Sequence, residues 1–98
     1  MSINFTQAIT SKLQRDIADI ESKSLDMKNK LMKAQTKIKQ LERDMKLSQS
    51  HNDLSSKLTR INKLNDEIKN LTRSQAELSK QLSTKKASLS QHLAKEEQ

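Results

Sequence analysis

Apolar and small side chains recur along this chain in alternating steps of three and four. From Ile17 they fall at Ile17, Ile20, Ser24, Met27, Leu31, Ala34, Ile38, Leu41 and Met45. Such a rhythm holds one stripe on one side of an α-helix and requires a partner helix against it. In heptad notation Ile17 takes position a and Ile20 position d. A second run has its own frame. Leu54, Ile61, Ile68, Gln75, Leu82 and Leu89 fall at a, and Leu64, Leu71 and Leu78 fall at d, followed there by Lys85 and His92. Nine residues separate Met45 from Leu54 where unbroken heptads need seven, so the two frames are out of phase. The residues between, 48–53, are polar, and Ser50, Asn52 and Asp53 are all good helix N-caps.

The pattern predicts an all-α fold with a helix over 5–47, a turn over 48–53 and a helix over 54–96. Together they would form one antiparallel coiled-coil hairpin across 1–98. Paired arms would bring together residues whose numbers add to about 100, such as Leu31 with Lys69 and Ile38 with Ile61. The first helix is expected to start near Asn4 or Thr6, where Phe5, Ile9, Leu13 and Ile17 are spaced by four. The phase shift argues against one continuous helix dimerising in parallel, although nothing in the Ser-Asn stretch forbids helix.

The predicted seam is Ile17, Ile20, Leu31, Ile38 and Leu41 against Ile61, Leu64, Ile68, Leu71, Leu78 and Leu82. One seam barely offsets an ordering entropy of about 1–2 kcal/mol per residue, so further association is expected. A second stripe supplies a surface for it. Ala18, Leu25 and Met32 share position b, which normally faces water, and Leu13 flanks them. Two hairpins meeting there would make a four-helix bundle. Scattered surface aliphatics are the plainer reading of the same residues. The polar seam residues Ser24, Ser48, Gln75, Lys85 and His92 fit register-setting positions.

Composition narrows the alternatives. Phe5 is the only aromatic among 98 residues, and a compact globule of this size would draw on several. Glycine and proline are both absent, which removes the usual turn and bulge residues of a β-fold. Cysteine is absent too, so there is no disulfide framework or thiolate metal site, as befits a cytoplasmic protein. The N-terminal residues lack the basic-then-apolar pattern of a signal peptide, and no run of apolar residues is long enough to predict a transmembrane helix.

The net charge is +7, with +4 in residues 1–50 and +3 in residues 51–98. Lys28, Lys30, Lys33, Lys37 and Lys39 form a run with no acid between Asp26 and Glu42. A run of this kind can bind nucleic acid or an acidic membrane surface. On a helix, however, these lysines point several ways. There is no aromatic for base stacking nearby, and only Arg15, Arg43, Arg60 and Arg73 offer guanidinium groups. A solvated face is the plainer reading. His51 and His92 are too far apart along the chain to share a metal within one hairpin. Adjacent carboxylates such as Asp66 and Glu67 diverge on a helix, and no glycine loop can cradle phosphate. No catalytic residue, metal ligand or cofactor site is expected, and the chain is not expected to be an enzyme.

The second half carries a family resemblance. Ser56-Lys57-Leu58-Thr59-Arg60-Ile61-Asn62-Lys63-Leu64-Asn65-Asp66-Glu67-Ile68-Lys69-Asn70-Leu71 is followed by Leu78-Ser79-Lys80-Gln81-Leu82, Lys85-Lys86 and Ala94-Lys95-Glu96-Glu97. These strings resemble the N-terminal coiled-coil segments that precede the TIR domain in many bacterial TIR proteins, over roughly residues 10–98. The resemblance implies a cytoplasmic segment that assembles protomers for an attached TIR domain, which would cleave NAD or signal. None of that domain's motifs is present, so no catalytic residue carries over. Ala94 to Gln98 is helix-favouring with no stop signal, as expected for a segment that continues into another domain. The expected partner is a second copy or another helical protein, with nucleic acid as the rival.

Overall fold

The computed structural model describes the backbone of residues 2–96 and the side chains of residues 5–95. Two helices account for almost all of it: α1 (Ser2–Leu47) and α2 (His51–Glu96), which pack against each other as a helical hairpin with no strand among the described residues. Neither helix contains a glycine or proline to interrupt its hydrogen-bond ladder.

The connection is Ser48 to Ser50, shorter than the six-residue turn the sequence suggests. The reason is local. Ser50 caps α2: its Oγ accepts the Asp53 N–H at 3.3 Å, and its carbonyl accepts the Leu54 N–H at 3.0 Å. With Ser50 as cap, His51, Asn52 and Asp53 become the first helical turn, and the Asp53 carboxylate sits where the helix dipole favours negative charge. The Ser48 N–H closes the end of α1 on the Met45 carbonyl at 3.3 Å.

The chain forms two compact units, and each takes a segment from both helices. One comprises Met1–Leu25 with Ala76–Gln98, and the other Asp26–Gln75. From Ile17 to Ser48 every a and d position of α1 is buried or half-buried and every other position is exposed. The same alternation holds in α2 from Leu54 to Leu71. All the expected seam residues, including Leu31, Ile38, Leu64, Ile68, Leu78 and Leu82, lie on this covered side. The most buried apolar side chains are Ile17 and Ile20 in the first unit and Ala34, Leu41 and Ile61 in the second.

Two expectations need correction. Leu13 is half-buried, because the heptad frame extends back through Leu13 at d to Thr10 at a; it belongs to the seam and not to the outer stripe. Thr10, not an aliphatic, is the buried residue there, and its Oγ donates to the Gln7 carbonyl at 3.0 Å. Leu31 does not face Lys69, which is exposed. The pair Asp16–Lys85 adds to 101, and one groove brings Ile38 beside Asn65 and Ile68. The heptads explain the offset. In an antiparallel pair an a residue packs at the level of a d residue, and of the sums the two frames allow, 102 is the one nearest the Asp16–Lys85 pair, as for Ile38 and Leu64.

Candidate interaction surface

Within the unit of Met1–Leu25 and Ala76–Gln98, the seam carries a charge. Lys85 is half-buried at position d, and its Nζ donates to Asp16 Oδ2 at 3.2 Å. Lys12, one turn before Asp16, lies 3.6 Å from the same oxygen. The Lys85 hydrogen bond, aided by the positive charge of Lys12, holds the Asp16 carboxyl below the usual carboxylate range.

The unit of Asp26–Gln75 has its own version near the turn. Lys57 occupies a d position with a side chain only 19% exposed, and it donates to Asp53, four residues earlier. That bond, together with one from the Ser48 hydroxyl, lowers the Asp53 pKa. The sequence pattern passes over Lys57, because Leu58 beside it is the apolar residue. Leu58 nevertheless points outward and is half exposed. The signal was the spacing itself: counting back seven from Leu64 lands on Lys57.

Outside the seam, the residues at position b stay uncovered. Ala18 is exposed, Leu25 is 59% exposed and Met32 is 55% exposed. Leu47, the last residue of α1, is 85% exposed.

Charge is unevenly shared between the two units, which halving the chain at residue 50 conceals. Asp26–Gln75 contains twelve basic and six acidic residues, or +6, leaving +1 for the other unit. Lys28, Lys30, Lys33, Lys37 and Lys39 are all exposed, and no ion pair of the described residues includes any of them. Lys30, Lys33 and Lys37 line one groove over Ala34 and Leu64, with Glu67 as its single acid.

No group of three or more His, Cys, Asp or Glu among the described residues could hold a metal ion. No helix of the described residues is long and apolar enough to cross a membrane. Comparison with protein-family models, with curated proteins and with solved structures gives no match, so residues and geometry carry the functional argument.

Proposed function

We propose that this chain is a coiled-coil interaction module that self-associates through position b of α1. The observation that carries the reading is the exposure of Leu25 and Met32, each more than half uncovered on a helix whose a and d positions are already satisfied. The thin seam supports it as well: among the described residues no large side chain is fully buried. Two copies meeting face to face along this position would form an isologous two-fold interface.

The strength of the contact can be bounded. Covering a half-exposed Leu or Met stabilises by about 1 kcal/mol, since full burial is worth roughly 1.5–3. Each copy offers only two such side chains, so the apolar gain is modest beside the cost of association. Self-association is therefore weak, and an attached domain or a high local concentration would reinforce it. The TIR resemblance fits that arrangement: a bacterial, cytoplasmic segment that gathers copies of a TIR domain whose catalysis lies outside these residues. In this reading the chain itself is not an enzyme and holds no cofactor.

Sedimentation equilibrium of the full chain beside a Leu25→Lys, Met32→Lys variant tests the proposal. A dimer or tetramer that dissociates in the variant is expected. A wild-type chain that stays monomeric at millimolar concentration refutes self-association, and an oligomer unaffected by the variant refutes this interface.

A further inference from the structure

We infer that the outward face of α1 from Lys33 to Leu47 docks on an anionic lipid surface. This face lies wholly in the Asp26–Gln75 unit and begins where the apolar part of position b ends at Met32. Its outward heptad positions b, c and f hold Lys33, Lys39, Arg43 and Lys46, with neutral Thr36 and Gln40 between them and Leu47 at the end. All are exposed. The acids of this stretch, Glu42 and Asp44, sit at e and g beside the seam and leave the outward face without negative charge. No ion pair of the described residues includes any of the four cations.

A row of unpaired cations seeks a polyanion, and three features favour lipid headgroups over nucleic acid. First, three of the four cations are lysines, which act as flexible point charges, whereas base readout uses the guanidinium fork. Second, the face has no aromatic on which a base could stack. Third, Leu47 is 85% exposed at the edge of the basic row. A phosphate backbone offers nothing to an exposed leucine, but the headgroup–acyl boundary does. The lysine stems can lie along that boundary with their ammonium groups among the phosphates. Since neither helix is apolar enough to span a bilayer, the contact is peripheral. The cytoplasmic leaflet, which carries the anionic lipids, is its chemical match.

The test is co-sedimentation of the full chain with vesicles of phosphatidylcholine containing about one-third phosphatidylserine, against phosphatidylcholine alone. Each cation near such a surface strengthens binding about fivefold, so Lys33→Gln, Lys39→Gln, Arg43→Gln, Lys46→Gln combined should weaken it on the order of several hundredfold. Removing the same charge from α2, with Arg60→Gln, Lys63→Gln, Lys69→Gln and Arg73→Gln, should weaken it less than about tenfold through the general field alone. Leu47→Ser should lower affinity a few-fold at low and at high salt alike. Circular dichroism establishes that each variant stays helical. Equal losses in the two charge variants, equal binding to neutral vesicles, or an unchanged Leu47→Ser would overturn the inference. So would stronger competition from a nucleic-acid duplex than from anionic vesicles at equal phosphate.

Discussion

Ile61 and Leu58 lie three residues apart on α2 and differ little in size, yet Ile61 is 7% exposed and Leu58 is 50% exposed. Truncating each to alanine isolates what the seam contributes. Buried aliphatic-to-alanine changes cost about 2–5 kcal/mol, the lower part of that range applying where the site can collapse or admit water. A two-helix seam is open on both flanks, so Ile61→Ala should cost about 2–3 kcal/mol, with a few tenths returned by alanine's helix propensity. Leu58→Ala loses only the covered half of a transfer worth roughly 1.5–3 kcal/mol and leaves no cavity, so it should cost about 0.5–1 kcal/mol. The assay is urea unfolding followed by circular dichroism at one fixed protein concentration, because self-association shifts apparent stability by mass action. In a domain of this size the Ile61 variant should melt about 10–20 °C below the parent. Equal losses, or a larger loss at Leu58, would show that the α2 heptad frame is misassigned and with it the register.

Other expectations follow from the polar groups. Lys57→Leu places a leucine in a covered d position at the cost of one ion pair worth about 0.3–0.5 kcal/mol, and should raise stability by about 1 kcal/mol in the same unfolding assay. Ser50→Ala removes the α2 cap and should lower stability by about 0.5–1 kcal/mol, near the low end for caps because its bond to the Asp53 N–H is long. Asp16 and Asp53 both lose their protons more readily in the folded chain than an ordinary aspartate does. Their contribution is therefore complete above about pH 5 and falls away as the pH drops through the lowered folded values. Lys85→Met should leave Asp16 nearer its ordinary value and flatten part of that acid limb in melting curves taken from pH 5 to about 2, while an unchanged limb would show that Lys85 does not stabilise the Asp16 carboxylate.

Much of the hairpin was legible in the chain because one force sets it. Burial of an apolar stripe fixes which positions of α1 are covered, and from Ile17 to Ser48 no position departs from the heptad. The register was legible only in part, since an a position can level with a d position where residue numbers add to 95 or to 102, and the Asp16–Lys85 pair selects the second. Placing facing residues by the midpoint of the turn ignored that condition and misplaced Leu31 against Lys69. What pattern reading missed are positions where composition and spacing disagree. Lys57 and Thr10 sit in the seam although neither is aliphatic; spacing decides, because a helix cannot rotate one residue outward without rotating its neighbours. The short turn was missed because three candidate caps stood in a row, and choosing Ser50 needed the hydrogen bond to the Asp53 N–H.

The outward positions obey a different logic. Once a and d are satisfied, the hairpin is nearly indifferent to what stands at b, c and f, where most exposed substitutions shift stability by no more than about 0.5 kcal/mol. Folding alone therefore explains neither the exposed Leu25 and Met32 nor the acid-free basic row from Lys33 to Lys46. A solvated helix face is better served by mixed charge, and α1 supplies it between Lys12 and Lys23, where three bases and three acids stand together and two pairs form. The same helix abandons that mixture after Asp26, where its charge turns to +5 over residues 28–47. Two departures on one helix, one apolar and one basic, are what the two proposals account for: a second copy of the hairpin for the first, and an anionic surface for the second.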